Sequence, residues 1–355
     1  MPIEQDIPTV LSWAAGLTGG IQLLGFIHGF TFQTEAFYDA LGGINSLTFV
    51  VLAFILRGEE LWGNPRQISI SCLFAASRLW LLSFLAWRAK ERGGDGRFDK
   101  LKPYFFTFLI VWFLQAVWVF CVGLPVLVLD GITESVPLNV GDYICIGLFT
   151  LGLLAQIHSD IVKAMWVKSG RAGGFCTRAL WYWSRHPNYF GEILMWWCAW
   201  GLCVRPMLVG SNVAVYCALA VLSPLITTLL LLGVSGMPLA EGKALERYYT
   251  GKYREEYIAY RERTSPLIPV PTSLYKALPI AVKRIFFLEF KCYEYTPADS
   301  EGASGKRGRS PRGKSPRSGI SSSGSSSNTV SLLKSRKPST SSKRKSSSTG
   351  GRKSK

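Results

Sequence analysis

The chain has 355 residues, 48% of them hydrophobic, and a formal net charge of +17. Fifteen Lys and Arg residues against two acids lie in residues 296–355, so the excess charge belongs to the tail and does not indicate a nucleic-acid-binding fold. The eight cysteines include no CxxC pair and no zinc-type spacing, which argues against a structural metal or a disulfide framework.

Apolar residues between positions 8 and 290 come in blocks about as long as a bilayer is thick. Seven blocks are candidate transmembrane helices: residues 8–29, 40–56, 67–87, 104–129, 141–159, 189–204 and 212–234. Two of these blocks are short for a span, so six or eight spans stay open. We predict an all-α polytopic membrane protein with about seven transmembrane helices.

Loop charges predict the orientation of these helices. Basic residues cluster in residues 88–103, in residues 163–185 and after residue 240, whereas residues 205–211 carry few. Seven spans place the three basic regions on one side, which the positive-inside rule assigns to the cytosol. We therefore expect the N-terminus outside or in a lumen and the C-terminus in the cytosol.

The basic tail is expected to be a separate unit. Residues 291–355 are rich in Ser, Lys and Arg and cannot bury a core, so we predict a disordered cytosolic extension after a membrane domain of residues 1–290. A second interpretation makes the tail a candidate for binding anionic lipid, with release by phosphorylation of its serines.

Polar residues inside the apolar blocks are the first functional candidates, because charge is costly in a membrane. Arg78 lies near the middle of the third block. At the end of the fifth block, the spacing of Gln156, Asp160 and Lys163 places them on one helix face. A cluster reaching the lipid headgroups is the alternative interpretation.

The most informative segment is residues 181–192. Pro187 suits the first turn of a helix, so we expect the sixth span to begin there. Its free N–H groups, beside Arg185 and His186, form a candidate phosphate site. Glu192, one turn after Asn188, needs a partner, which Arg78 or a ligand amide could provide; a purely structural ion pair is the alternative.

A Tyr-rich stretch follows the last span. Tyr253, Tyr257 and Tyr260 recur at helical spacing and predict one aromatic face. Both an interfacial belt and a lid over a nucleotide explain this pattern. The prolines of residues 264–269 favour an extended segment.

Several motifs together resemble the steroid 5α-reductase-like superfamily, and most closely its branch known as a domain of unknown function. They are Ser184–Glu192, Ser235–Leu239 with Glu241, Lys252–Tyr260 and Thr264–Pro269. The resemblance covers roughly residues 45–272. One departure stands out: steroid 5α-reductases carry His-Tyr shortly before an arginine, whereas this chain has Ala75-Ala76-Ser77-Arg78. A steroid substrate is therefore not implied.

The resemblance implies a seven-helix protein of the endoplasmic reticulum or an inner membrane, with NADPH entering from the cytosol and a lipid-like enone from the bilayer. Residues matching Asp160, Asn188, Tyr189 and Glu192 would contact NADPH, and basic loop residues would bind its phosphates. The candidate cofactor-binding residues are Arg97, Asp160, Arg171, Arg185, His186, Asn188, Tyr189, Glu241, Tyr253 and Tyr257. The candidate catalytic residues are Arg78 and Glu192, and no metal site is expected.

The leading hypothesis is an NADPH-dependent oxidoreductase that reduces a carbon–carbon double bond in a sterol, enone or acyl lipid. A methyltransferase using S-adenosylmethionine is the first alternative, because membrane methyltransferases have a similar Arg-His-Pro-x-Tyr turn followed by a Glu. A non-catalytic lipid-binding member of the fold is the second.

Overall fold

The computed structural model describes residues 6–92 and 98–295. Seven helices in this part are long and apolar enough to cross a membrane, so the chain is an all-α integral membrane protein, as predicted. The described residues form no strand; an isolated parallel bridge joins Ser184 to Ser265. The predicted disordered tail began at residue 291, but Lys291–Tyr293 form a short helical turn in which Tyr293 is buried, because its carbonyl oxygen accepts a hydrogen bond from Arg261. The rest of the predicted tail, residues 296–355, lies outside the described residues.

The first six spans are continuous helices. They are α1 Ile7–Thr31, α2 Tyr38–Arg57, α3 Pro65–Arg92, α4 Phe105–Asp130, α5 Val140–Lys168 and α6 Pro187–Val209. Each predicted block corresponds to one span, and α6 begins at the expected proline. Prediction and structure differ most at the end of α5, which was predicted to end at residue 159 and continues to Lys168. The helix continues because Asp160 is buried against α6, where it accepts a hydrogen bond from Asn188.

The seventh span is broken into pieces. It consists of α7 Ala214–Leu219, α8 Leu222–Leu229, a π-helical turn Leu230–Val234 and α9 Met237–Ala240. Pro224 and Pro238 each lie in the first turn of a piece, where the missing N–H is tolerated. The π-helical turn is the kind of irregularity found near functional sites. The last piece ends directly before Glu241.

A buried ion pair fixes one end of the bundle. Arg66 at the start of α3 contacts Asp142 at the start of α5, with Nη1 2.5 Å from Oδ1. Backbone carbonyl oxygens of Val136, Pro137 and Leu202 accept the other N–H groups of the Arg66 guanidinium. Every nitrogen of this guanidinium is therefore hydrogen-bonded.

The opposite end, which we name the basic end, is where α3 and α5 finish and α6 begins. Short helices cover it: α10 Glu246–Tyr249, α11 Arg254–Arg263, α12 Thr272–Ala277 and α13 Ile280–Phe286. The Tyr260 hydroxyl donates to the Trp181 carbonyl over 2.6 Å, and the Ser184 hydroxyl donates to the Leu267 carbonyl over 2.7 Å. These bonds hold the segment before α6 against the segment after α11.

Helices α5 and α6 approach closely near the basic end. A Cβ atom on Gly152 or Gly191 would meet the carbonyl oxygen of the other residue at less than van der Waals distance. Because both positions lack a side chain, the next turns of the two helices come into contact. This contact places Gln156 beside Glu192.

Candidate functional site

A cavity of about 540 Å³ opens at the basic end, and we name it the basic-end cavity. Its walls come from the last turns of α3 and α5, the segment before α6, the first turn of α6, Glu241, α10 and α11. The three regions that the sequence predicted to share one side of the membrane thus all contribute to one cavity. Which side of the membrane it faces stays a prediction.

Most predicted cofactor-binding residues lie around this cavity. Those that line it are Asp160, Arg171, Arg185, His186, Asn188, Tyr189, Glu241 and Tyr257. Tyr253 instead borders an adjoining cavity of about 160 Å³, together with Arg171 and Arg247. Arg97 lies outside the described residues.

Four cations on the cavity wall have no carboxylate partner among the residues that the structure describes. They are Arg88, Lys163, Arg171 and Arg247. The Lys163 ammonium lies 4.2 Å from the centre of the Trp181 ring and 5.0 Å from that of Trp166, so aromatic faces stabilise it in place of an acid. Uncompensated positive charges in a concave site attract an anionic ligand.

A carboxylate and an amide meet where α5 passes the start of α6. The Asn188 Nδ2 group donates to Asp160 Oδ1 over 3.1 Å, and Trp80 Nε1 lies 3.5 Å from Oδ2 of the same carboxylate. The Asn188 Oδ1 atom is buried without a hydrogen-bond partner among the described residues, so it can accept a hydrogen bond from a ligand.

Aromatic rings form the outer wall of the cavity. The rings of Tyr248 and Tyr257 stack with centroids 4.4 Å apart, and Phe175 meets Tyr257 edge-on at 5.1 Å. At Gly174 the backbone φ is +78°, and a Cβ atom there would collide with the ring of Tyr253. Glycine at this position therefore allows Tyr253 to pack on the loop.

Arg185 belongs to a buried network of four charges. It contacts Glu241 at 3.3 Å and Glu289 at 2.5 Å, and Arg261 contacts both of these acids. The His186 Nε2 atom lies 2.8 Å from Glu241. Two carboxylates balance two guanidinium groups, so the charge of Arg185 is compensated within the protein. Its binding of phosphate stays a prediction.

The network shifts the pKa values of its members. Burial lowers the pKa of His186 below its ordinary value, although the neighbouring Glu241 acts in the opposite direction. Burial raises the pKa of Glu241, but the charges of Arg185 and Arg261 and the hydrogen bond from His186 outweigh this effect and hold it well below the ordinary range. We therefore describe the network with an ionised Glu241 and a neutral His186.

Sequence reasoning missed three members of this network: Arg261, Tyr275 and Glu289. The Tyr275 hydroxyl donates to Glu289 over 2.6 Å. The available signal was the acid itself, since Glu289 stands alone among the apolar residues 285–290. An isolated acid in such a run requires a buried partner.

The two predicted catalytic residues meet between the spans. Arg78 Nη2 lies 2.9 Å from Glu192 Oε1, which is one of the two partners that the sequence suggested for Glu192. The Glu192 carboxylate also accepts from Gln156 at 2.6 Å and from Trp196 at 2.8 Å. Arg78 also borders a second cavity, with a volume of about 240 Å³. The ion pair with Glu192 therefore fixes a cation at the edge of that cavity.

These features define a polytopic α-helical membrane protein with a cationic, aromatic-walled cavity at one end of the bundle. The family described as "Protein of unknown function (DUF1295)" matches residues 25–264, and the chain belongs to this family. No curated protein and no solved structure matches the chain.

Proposed function

We propose that the protein is an NADPH-dependent reductase of the endoplasmic reticulum that reduces a carbon–carbon double bond in a sterol, enone or acyl lipid. The supporting observation is the set of four cations around the basic-end cavity that have no carboxylate in ion-pair contact among the described residues. Phosphates are the ligands that such cations bind best, and NADPH carries three of them. The resemblance of the motifs around α6 to the steroid 5α-reductase-like superfamily supports the same proposal.

The residues of the cavity fit this cofactor. Its volume of about 540 Å³ falls in the usual range for small-molecule sites, and the ring pair Tyr248–Tyr257 offers a stacking surface. Lys163, Arg171 and Arg247 would hold phosphates. The Asn188 Oδ1 atom and the Asp160 carboxylate would accept hydrogen bonds from the carboxamide, and NADPH when bound supplies the hydride.

The chain's own contribution is to position groups and to exclude water. Glu192, Gln156 and Trp196 hold the Arg78 guanidinium in place deep within the spans. A guanidinium fixed in this way can orient an oxygen atom of a lipid without becoming exposed to water. In this proposal the cytosol lies at the basic end.

Binding measurements on the purified full-length protein in nanodiscs test the proposal. We expect NADPH to raise the melting temperature, NADH to do so more weakly, and S-adenosylmethionine to have no effect, because the latter has no phosphate. Arg171→Met should weaken NADPH binding. Arg205→Met, an exposed arginine near the far end of α6, is the matched control and should not.

Two outcomes of these binding measurements would contradict the proposal. Stabilisation by S-adenosylmethionine without NADPH binding would identify a methyltransferase. Absence of binding by all three compounds would identify a non-catalytic member of the fold.

A further inference from the structure

Exposed apolar side chains follow the last span at the basic end, and we name them the apolar rim. Leu274 lies on α12, and Ile280, Ile285 and Phe286 lie on α13. With Phe290 they form a set whose exposed fractions range from 37% to 69%. These residues lie outside the seven spans. Apolar surface concentrated outside the spans indicates an interaction surface.

The other face of this segment is held against the protein. Tyr275 is buried, and its hydroxyl donates to Glu289, which is paired with Arg185 and Arg261. The Lys283 ammonium on α13 lies 4.6 Å from the centre of the Tyr275 ring. The inner face of the segment is therefore fixed by buried charges, and the exposed side chains of the apolar rim are held facing away from the protein.

The apolar rim continues the lipid-facing surface of the seventh span. The Tyr293 hydroxyl donates to the backbone carbonyl of Leu232 in the π-helical turn of that span. Val234 and Leu239, near the same end of the span, are 55% and 58% exposed. A segment bonded to the last turns of a span lies close to the level at which the span leaves the bilayer. The bilayer is therefore the apolar medium that this surface can reach.

The charges beside the apolar rim favour an anionic membrane surface. Lys276 and Lys291 are exposed, and neither is in ion-pair contact with a carboxylate of the described residues. Glu289 is buried within the charge network, and Glu294 is paired with Arg284 at 3.3 Å. Lysine side chains reach lipid headgroups while neighbouring apolar side chains enter the acyl boundary.

We propose that the apolar rim inserts into the boundary between headgroups and acyl chains of the bilayer that the spans cross, and that Lys276 and Lys291 bind anionic headgroups there. The segment is then an interfacial anchor that holds Glu289, and with it Arg185, at the membrane surface. The surface is distinct from residues 296–355, and its binding to lipid does not depend on the reductase proposed above.

Photolabelling of the full-length protein by lipids in nanodiscs tests the proposal. Two probes carry the same diazirine near the glycerol backbone, one with a phosphatidylglycerol headgroup and one with a phosphatidylcholine headgroup. Each is added at the same low mole fraction to phosphatidylcholine discs, and labelled peptides are identified by mass spectrometry. We expect both probes to label residues 272–291, and phosphatidylglycerol to do so roughly fivefold more, since one lysine near an anionic surface has about that effect.

A pair of variants tests the lysines. Lys276→Gln combined with Lys291→Gln should bring labelling by phosphatidylglycerol down to the level of phosphatidylcholine. The matched control is Lys100→Gln combined with Lys252→Gln, which removes two exposed lysines of the same end outside the segment. The control should keep the preference. Equal labelling of the unmodified chain by both probes would overturn the binding of anionic headgroups.

A second pair tests the apolar side chains. Ile285→Ser combined with Phe286→Ser should reduce labelling of residues 272–291 by both probes roughly tenfold, about the effect of removing one large side chain from an apolar medium. Both side chains are more than 60% exposed, so the protein core is unchanged. Val140→Ser combined with Leu208→Ser replaces two equally exposed residues at the opposite end and should leave this labelling unchanged.

The same samples reveal a different occupant. Peptides of residues 272–291 that neither probe labels, beside labelled peptides of the seventh span, would overturn the proposal and assign the apolar rim to a protein. In discs that hold two copies, covalent crosslinks between copies through residues 272–291 would identify that protein as a second copy of this chain.

Discussion

Arg66 and Arg78 lie about three turns apart on α3, and both are buried and paired with one carboxylate. Their surroundings differ. All nitrogens of Arg66 are hydrogen-bonded, to Asp142 and to three backbone carbonyl groups, and no described cavity adjoins it. Within the described part of the chain, Nη1 of Arg78 has no hydrogen-bond partner, and Arg78 borders a cavity of about 240 Å³.

This difference separates a structural charge from a functional one. A buried guanidinium with all its donors satisfied ties helices together and has nothing left to offer a ligand. A guanidinium with an unused donor costs the fold stability, which is expected where a site must bind something. At the basic end the contrast is one of charge: Arg185 is paired with Glu241 and Glu289, although its Nε has no hydrogen-bond partner among the described residues, whereas Lys163 has no carboxylate partner among them.

Replacing Arg66 should give the largest loss of stability. Arg66→Met leaves the Asp142 carboxylate buried without its cation, which typically costs about 3–5 kcal/mol. We expect a large fall in the melting temperature in nanodiscs. Variant protein that survives at low temperature should still bind NADPH, and loss of NADPH binding at preserved stability would contradict the structural role.

Replacing Arg78 should cost less stability and more function. Arg78→Met also leaves a buried carboxylate without its cation, but Glu192 keeps hydrogen bonds from Gln156 and Trp196, and no backbone carbonyl group loses a donor as three do in Arg66→Met. We therefore expect a loss near the lower end of the same range, about 3 kcal/mol. Reduction of lipid by NADPH should disappear, because the proposed function uses Arg78 to orient the lipid oxygen. Measured beside Arg66→Met, the two variants should rank in opposite order for loss of stability and for loss of this activity, and the same order in both would remove the distinction between the two arginines.

Much of the fold and part of the site could be predicted from the sequence. The seven spans could be predicted because each depends only on the hydropathy of its own consecutive residues. The start of α6 could be predicted because Pro187 lacks the N–H group that a residue inside a helix would need. Arg78 and Glu192 were recognisable because a charge within an apolar block needs a partner. Pairing Glu192 with Arg78 was one of two possibilities that the sequence offered, the other being an amide group of a ligand.

The remaining features depend on contacts between distant segments. Glu289 reaches Arg185 across about a hundred residues of chain, and no periodic pattern links them. The cavity beside Arg78 depends on how several helices pack, and the sequence of a single helix does not show where space between helices stays unfilled. The satisfaction of Arg66 by backbone carbonyl groups is equally hidden, because a carbonyl group is present at every residue.

Two lysines of the basic-end cavity sharpen the same contrast. Lys163 has no acid partner among the described residues, whereas Lys168 contacts Glu91 at 3.5 Å. Lys163→Met should raise the Kd for NADPH roughly tenfold, the effect of one charge-assisted bond, and should reduce its dependence on salt. Lys168→Met, the matched control, should have a smaller effect. Titrations that follow NADPH fluorescence at two salt concentrations measure the Kd of each variant and its dependence on salt. If both variants raise the Kd equally, the ion pair between Lys168 and Glu91 does not matter for cofactor binding.

The compensated network around Arg185 should give the smallest effect, visible as a dependence of stability on pH. Since the pKa of His186 is lowered in the folded protein, the unfolded chain takes up a proton near its ordinary value of about 6.5 while the folded chain does not. Stability should therefore decrease as the pH falls below about 6.5, by at most about 1.4 kcal/mol per pH unit.

The melting temperature between pH 7.5 and 5.5 measures this dependence, and His186→Asn should flatten it. His28 and His158 are the other histidines and remain in the variant, so the difference between the two curves isolates His186. The lowered pKa of Glu241 predicts a separate loss of stability that begins only below about pH 4.3, the ordinary value of a glutamate. An unchanged slope in His186→Asn would mean that the pKa of His186 is the same in the folded and the unfolded chain, which would contradict its lowered pKa in the buried network.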